Sequence, residues 1–357
     1  MPKKSIEDLR RKIDRIDDQL LGLLNERGKI ASEIGRVKAD RGDQVFAVDR
    51  ENEILSRLAD KNAGPLSNEA LDDIFQTIFT NCRALQKRLT IAFFGPEATF
   101  THQAAINQFG RNVEFVPVPS IKDVFFEVER GTATFGVVPI ENSTEGVVNH
   151  TLDMFVQSKL HIVAERMESI SHALLSVSGK IKSVKKVYSF PHALAQCRKW
   201  LDVHLPGVTV HEAASTADAA VHATLDSSSA AIASQLAAQI YHLKPIALQI
   251  EDSPDNATRF LVIGRDLPPP TGKDKTSILF SVKDKVGALY DVLEPFRSAG
   301  INLTKIESRP TKKRAWEYLF FVDFIGHQSE KRIQSALKEL GERCNFLKIL
   351  GSYPYGG

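Results

Sequence analysis

The chain has 357 residues, 43% apolar and 25% charged, with a formal net charge of +2. That length allows two or three domains, and the near balance of charge argues against a general affinity for nucleic acid or for membrane surfaces. Cys82, Cys197 and Cys344 lie far apart with no metal-ligand spacing, which suits a reducing compartment. The opening run MPKKSIEDLR has charge but no apolar core, and no run is long enough to cross a bilayer. A cytoplasmic location without a signal peptide is therefore expected.

Residues 5–88 read as all helix. Leu9, Ile13, Ile16, Leu20 and Leu23 recur at steps of four and three; after Arg27 the series resumes with Ile30, Ile34 and Val37. This is one long helix burying one stripe against other helices. Arg27 stands on that stripe, and a buried cation has to be paired or to meet something negative. Lys38 lies about 20° round the helix from it and about 16 Å along, which leaves room for a small anion between the two side chains. The helix is expected to end near residues 39–42. A second helix covers 49–61, and a third starts after Ser67, a fitting N-cap, and carries Leu71, Ile74, Phe75, Ile78, Phe79, Cys82 and Leu85. A first helix of roughly 36 residues is about 54 Å long, more than such a small unit covers, so it is expected to pack against a partner chain. Arg10, Arg50, Glu51 and Gln86 complete the polar set. Solvated charges, or a buried Arg27–Glu51 ion pair, are the plain alternatives.

From Thr90 short apolar runs alternate with helical patterns, which predicts α/β structure with a largely parallel sheet. A second series, from VKKVYSF through SAAIAS, predicts a second lobe, and two lobes leave a cleft for a small ligand. Polar turns punctuate the strand ends: Pro96 and Thr99 in FFGPEATF, Glu141 to Thr144 in GVVPIENSTEG, and Asn256, Thr258 and Arg259 in NATRF. Each taken alone reads as a cap or turn. The run LPPPTG at 267–272 is a stiff linker. Beyond it the order βαββαβ over 276–354 predicts a ferredoxin-like α+β unit.

The runs LRRKIDRIDDQLLGLLNERGKIASEIGRVK, VDRE and CRALQ resemble the all-helical chorismate mutases. The resemblance implies a dimer of long helices and places Arg10, Arg27, Lys38, Arg50, Glu51, Cys82 and Gln86 at substrate-binding positions, with Arg10 serving the other protomer's site. Chorismate becomes prephenate by a concerted [3,3] shift without proton transfer, so the site holds a dianion in a folded shape. The resemblance implies that arginines clamp its carboxylates, that Lys38 and Gln86 donate to the ether oxygen as its bond breaks, and that Glu51 holds the hydroxyl. Relatives often carry Asp where this chain has Ala47, and Ser where it has Cys82.

GPEATF, GVVPIENSTEG, SHALL, VYSFPHALAQCRKWL, STADAA and NATRFLVIG, in that order, resemble prephenate dehydratase over residues 90–265. The resemblance implies catalysis by Thr258, with Thr99, Asn142, Ser143, Thr144, Asn256, Arg259 and Phe260 around the substrate. Loss of CO2 and hydroxide from prephenate gives phenylpyruvate, and a hydroxyl donor can assist the departing hydroxide. The family usually has Gly where this chain has Ala98, and His-Pro-Gln where it has Phe190-Pro191-His192.

GALYDVL and GINLTKIESRP resemble the ACT regulatory domain of phenylalanine-sensitive dehydratases. Gly287, Ala288 and Leu289, then Glu307, Ser308 and Arg309, match its two ligand-contact motifs, with Asn302 between them. The expected organisation is a helical mutase domain over 1–89, a two-lobed α/β dehydratase domain over 90–268 and an ACT domain over 269–357. The expected function is a bifunctional enzyme of phenylalanine biosynthesis, a homodimer or higher homo-oligomer, inhibited by phenylalanine, without cofactor or metal. Two alternatives remain: a dehydratase whose helices only dimerise, and a non-enzymatic amino-acid sensor.

Overall fold

The computed structural model describes residues 5–41, 48–86, 89–282, 286–310 and 318–355. Two compact units emerge. One takes the described residues up to Leu89 together with Phe109–Glu114; the other takes Thr90–Gln108 and the described residues from Phe115 onward.

The first unit is built on α1 (Ile6–Arg41), α2 (Val48–Lys61) and α3 (Asn68–Gln86). Ser67 caps α3: its Oγ accepts from the Ala70 amide at 3.2 Å and its carbonyl from the Leu71 amide at 3.1 Å. Helix α1 packs on α3, and its buried positions are the small ones, Gly28, Ala31 and Gly35. A Cβ on Gly28 would lie 3.2 Å from Leu85 Cδ1, so a glycine lets the helices approach. Each buried position follows a stripe position by one residue, about 100° round the helix. The stripe itself therefore faces away. Leu9, Ile13, Ile16, Leu20, Leu23, Ile30, Ile34 and Val37 are each 45–62% exposed, so the described residues of this unit do not bury the face its periodicity marks for burial.

The second unit opens with a sheet of β1 (Thr90–Phe94), β2 (Glu114–Val118), β3 (Phe135–Asn142), β5 (His161–Ser169) and β11 (Ala257–Gly264), in the order β2-β1-β3-β11-β5, with the short β4 (Gly146–Val147) beside β3. Strands β1 and β3 are parallel. Strand β11 returns from the second lobe and enters antiparallel between β3 and β5. The sheet is thus mixed rather than largely parallel, because a strand arriving from outside the βα series need not share its direction. The second lobe orders β10 (Lys244–Ala247), β6 (Ala173–Ser176), β9 (Ser229–Ala233), β7 (Lys186–Ser189) and β8 (Thr209–Glu212). Fully buried Ala217, Ala220 and Ala223 of α9 (Thr216–Leu225) share one core with Ala231 and Ala233 of β9, so small side chains bring helix and sheet close.

The C-terminal module runs β12 (Asp274–Ser281), α11 (Ala288–Ser298), β13 (Leu303–Pro310), β14 (Tyr318–Ile325), α12 (Lys331–Arg343) and β15 (Phe346–Pro354), with strand order β13-β14-β12-β15. This is the expected βαββαβ unit. Its sheet joins the core of the first lobe. Leu261 and Ile263 of β11 cluster with Leu279, Phe321, Leu350 and Tyr353 of the module. Phe155 of α6 (Asn149–Gln157) stands edge-on to Phe125 of α5 (Ile121–Arg130) at 5.1 Å and to Phe321 at 6.4 Å.

Strand β15 lies against β5 at Gly351, where an added Cβ would stand 2.1 Å from the Ile162 carbonyl oxygen. Gly351→Ala is expected to destabilise this unit by roughly 1–3 kcal/mol, as overpacking does. Thermal unfolding reads the effect; an unchanged midpoint would mean that β15 and β5 do not approach this closely.

Candidate active sites

In the helical unit, Arg27 is half-buried. Its Nη1 donates to Cys82 Sγ at 2.7 Å and its guanidinium carbon lies 5.2 Å from the centre of the Phe79 ring. Phe79 and Cys82 are both buried. A cation on a ring face beside a thiol is oriented without being neutralised, so it keeps its capacity for an anion. Lys38 and Glu51 are also half-buried. Arg10 is exposed, and Arg50 is exposed and paired with Glu53 at 2.6 Å. Gln86 is the last residue of α3; its side chain and all of Ala47 lie outside the described residues.

In the α/β region, cross-strand pairing sets Thr258 of β11 opposite Asn142 of β3. Asn142 Nδ2 donates to Thr258 Oγ1 at 2.7 Å and to Asn256 Oδ1 at 2.9 Å, while Asn142 Oδ1 accepts from the amides of Thr144 and Glu145. Thr144 Oγ1 donates to Asn256 Oδ1 at 3.2 Å, and Ser143 Oγ accepts from the Ala257 amide at 3.0 Å. The two polar turns, more than 110 residues apart, thus form one cluster. Thr258 and Asn256 are buried, whereas Ser143 and Thr144 are exposed.

The second lobe reaches this cluster through α7 (Pro191–Gln196). Gln196 Oε1 accepts from Asn256 Nδ2 at 3.0 Å and sits 2.9 Å from His172 Nε2. Glu145 Oε2 lies against Nδ1 of His192, whose ring stacks on Phe190. His172 and Asn256 sit on the two segments that cross between the lobes, and these segments bond to each other (Ile170 amide to Asn256 carbonyl 2.8 Å, Ile250 amide to His172 carbonyl 3.1 Å).

Three expected site residues are employed elsewhere. Thr99 Oγ1 donates to the Pro96 carbonyl at 2.9 Å and accepts from the His102 amide at 3.3 Å, so its hydroxyl serves the turn into α4 (Phe100–Phe109). Phe260 is 2% exposed and belongs to the core. Arg259 points to the opposite face of β11 from Thr258. Its Nε donates to Glu165 at 2.8 Å, Nη1 to Asp323 at 2.6 Å and Nη2 to the Tyr353 hydroxyl at 3.0 Å. Burial disfavours its charge, but Tyr353, Asp323 and Glu165 outweigh that and hold its pKa above the ordinary value. Arg259 anchors the C-terminal module and does not face the cluster around Thr258.

In that module Gly287 takes φ +80° at the start of α11, a conformation natural to glycine. Leu289 and Asn302 are exposed, Glu307 is half-buried and Ala288 is buried. Arg309 is committed to α6: its Nη1 donates to the Asn149 carbonyl at 2.6 Å and pairs with Asp153 at 2.8 Å.

Comparison with known proteins accounts for all three parts. The family profiles for chorismate mutase type II, prephenate dehydratase and the ACT domain match residues 9–87, 91–268 and 276–342. A bifunctional chorismate mutase/prephenate dehydratase of Aquifex aeolicus is 51% identical over 355 residues, covering 98% of each chain. This chain belongs to the bifunctional chorismate mutase/prephenate dehydratases. Its counterpart in Escherichia coli K12 is 33% identical over 97% of this chain and 95% of that one. The prephenate dehydratase of Arthrobacter aurescens, solved in complex with L-Phe, superposes with a TM-score of 0.69 at 36% identity, covering 75% of this chain and 90% of that one.

The family frame explains one departure. Ala98, where relatives usually carry glycine, takes φ +66° and is fully buried, with its amide bonded to His102 Nδ1 and its carbonyl to Ser234 Oγ. The left-handed backbone is the reason for a glycine, and alanine adds the smallest side chain to it. Sequence reasoning missed Gln196 and His172. Gln196 sits in an ordinary helical run, and His172 follows a strand without any turn signal; only the fold brings them to Asn256.

His172 is 2% exposed, and its Nδ1 has no partner among the described residues. Burial pushes its pKa below the ordinary value, against the smaller opposing effect of the Gln196 bond. With Gln196 Oε1 as the acceptor, the neutral Nε2–H tautomer fits. A depressed folded-state pKa gives a contribution to stability that is complete above the unfolded value of about 6.5 and is lost as pH falls from there through the folded value. His172→Gln should therefore lose less stability than the native chain between about pH 7 and 5, measured by urea midpoints. Equal losses would show that His172 is not held neutral.

Proposed function

We propose that the helical domain rearranges chorismate to prephenate, that the two-lobed domain converts prephenate to phenylpyruvate, and that the ACT domain takes phenylalanine as a feedback effector. The domains run over residues 1–89, 90–268 and 269–357, and the matched family spans fall inside those limits.

The observation that carries the dehydratase chemistry is the bond from Asn142 Nδ2 to Thr258 Oγ1. Because Asn142 donates to that oxygen, the hydroxyl proton of Thr258 can point outward to the departing hydroxide. The carbon–carboxylate bond then breaks and releases CO2, its electrons complete the aromatic ring, and hydroxide departs hydrogen-bonded to Thr258 and takes its proton from solvent, so that Thr258 keeps its own. Asn256 and Gln196 hold the donor pair from behind, across the lobes. In the mutase site, Arg27 is preoriented by Cys82 and Phe79 to receive a carboxylate. Lys38 and Gln86 stabilise the ether oxygen, Glu51 holds the hydroxyl, and Arg10 and Arg50 complete the cation set.

The exposed stripe of α1 is covered by a second copy of the chain. Eight large apolar residues along about 42 Å of helix make a patch of the kind that marks an interface. A second copy also brings the partner's Arg10 position to each mutase site. Among the described residues no helix is long and apolar enough to cross a membrane, and all three cysteines are free. A reducing cytoplasm suits such a chain.

Supplying chorismate and then prephenate, and following phenylpyruvate, tests both activities together. Lys38→Ala is expected to abolish mutase turnover and leave dehydratase turnover intact. Thr258→Ala is expected to lower dehydratase turnover by about 10²–10⁴-fold, the usual share of general acid catalysis, and to spare the mutase. Parallel loss of both activities in either variant would indicate global damage and defeat the assignment. Sedimentation of Leu20→Glu should show monomers without mutase activity; a dimer that keeps its activity would exclude the stripe as the interface.

A further inference from the structure

The cross-strand pair that forms the dehydratase site has a neighbouring pair directly behind it. Register sets Thr258 opposite Asn142 and Arg259 opposite Glu141. The pairing then skips Ile140 before Phe260 meets Pro139, so one extra residue bulges from β3 at this point. Asn142 and Thr258 turn to the substrate side, while Glu141 and Arg259 turn to the ACT module.

The module grips both. Lys305 Nζ of β13 lies 2.5 Å from Glu141 Oε2, a charge contact that lacks good hydrogen-bond angles. Asp323 of β14 binds Arg259 at 2.6 Å and accepts from Ser277 Oγ at 2.5 Å. Lys275 of β12 binds Glu165, which also binds Arg259. The side chains of Arg259, Asp323, Glu165 and Lys275 are all at least 90% buried. Lys305 stands two residues before Glu307 on the strand that carries one ACT ligand-contact run. A displacement of that strand therefore pulls directly on Glu141, next to Asn142.

We propose that Glu141 and Arg259 are positioning residues through which the ACT module sets the Asn142–Thr258 pair, and that phenylalanine acts on the dehydratase by altering this two-point grip. The proposal rests on the reading above, in which Asn142 and Thr258 act on prephenate and the module binds phenylalanine. The physical basis is short range. Thr258 and Arg259 are adjacent on one strand, so an altered anchor moves the hydroxyl, and a misplacement of about 1 Å can cost about 10²-fold in rate. Only a difference in contacts between two states of the module can carry an effector's influence.

The test uses the full chain with Lys305→Met, which keeps the stem and removes the charge, Lys305→Arg as the conservative rescue, and Asp323→Asn. Dehydratase kcat and KM are measured with and without phenylalanine, phenylalanine binding is measured by calorimetry, and mutase turnover serves as the folding control. Lys305→Met is expected to lower dehydratase kcat by about tenfold or more, with KM little changed, normal mutase turnover and retained phenylalanine binding. Bound phenylalanine should inhibit this variant less completely than the native enzyme, and Lys305→Arg should restore both kcat and inhibition. Asp323→Asn should act in the same direction and decides the matter if Lys305→Met lowers both activities together. Native kcat and native inhibition in both variants would overturn the proposal. If the native enzyme is not inhibited by phenylalanine, the effector reading falls, while the kcat loss and its rescue still test the positioning role.

Discussion

The buried cluster of Arg259, Glu165, Lys275 and Asp323 is the constraint on which the second unit depends. Moving each of these charges out of water costs several kcal/mol, and the cost is offset only when every partner is in place. Two of the four come from the dehydratase sheet and two from the ACT sheet, with Tyr353 and Ser277 meeting the remaining polar atoms. The two cations and two carboxylates balance, so the junction is neutral as a set but not when split. The apolar core follows the same seam, since Leu261 and Ile263 pack with Phe321 and Leu350. The proline-rich linker therefore joins two parts that fold onto each other.

One strand explains why three consecutive residues have three different roles. Side chains alternate along β11. Thr258 and Phe260 face one way, the first toward the polar cluster and the second into the core, while Arg259 and Leu261 face the module. A run that looks like a single site in sequence is divided by the strand period between the polar cluster, the apolar core and the anchor to the module. The same holds for Glu141 and Asn142, separated to opposite faces of β3.

Local periodicity made most of the elements legible: the three helices, the strand–helix alternation of both lobes and the βαββαβ module each follow from spacing and turn residues. Three features were not legible, for a common reason. The insertion of β11 between β3 and β5, the bonds of Gln196 to Asn256 and His172, and the pairing of Arg259 with residues 94 and 64 positions away are all contacts between distant segments. The stripe on α1 shows the converse. Its period was plain in sequence, but the described residues leave it exposed, and the helix buries its Gly28–Ala31–Gly35 seam against α3 instead. Thr99 bonds within its turn, and a threonine at a helix entry looks alike in sequence whether it caps the helix or binds a ligand.

The two proposed sites of this bifunctional enzyme differ in how their groups meet a carboxylate, and the chemistry of the two reactions gives a reason. The mutase reaction keeps both carboxylates of its substrate, so cationic clamping of the kind proposed for Arg27 does not oppose the bond changes. The dehydratase expels one carboxylate as CO2, and strong solvation of that group by a cation would hold it in place. The groups bonded to one another around Thr258 are amides and hydroxyls, Asn142, Asn256, Thr144 and Gln196, while across the other strand Thr258 pairs with the carboxylate Glu168, itself bound by Asn107 and Arg166. The nearest arginine in sequence, Arg259, has its guanidinium turned to the back of the sheet and bound to two carboxylates. Its charge thus stabilises the junction with the ACT module and is turned away from the polar cluster around Thr258.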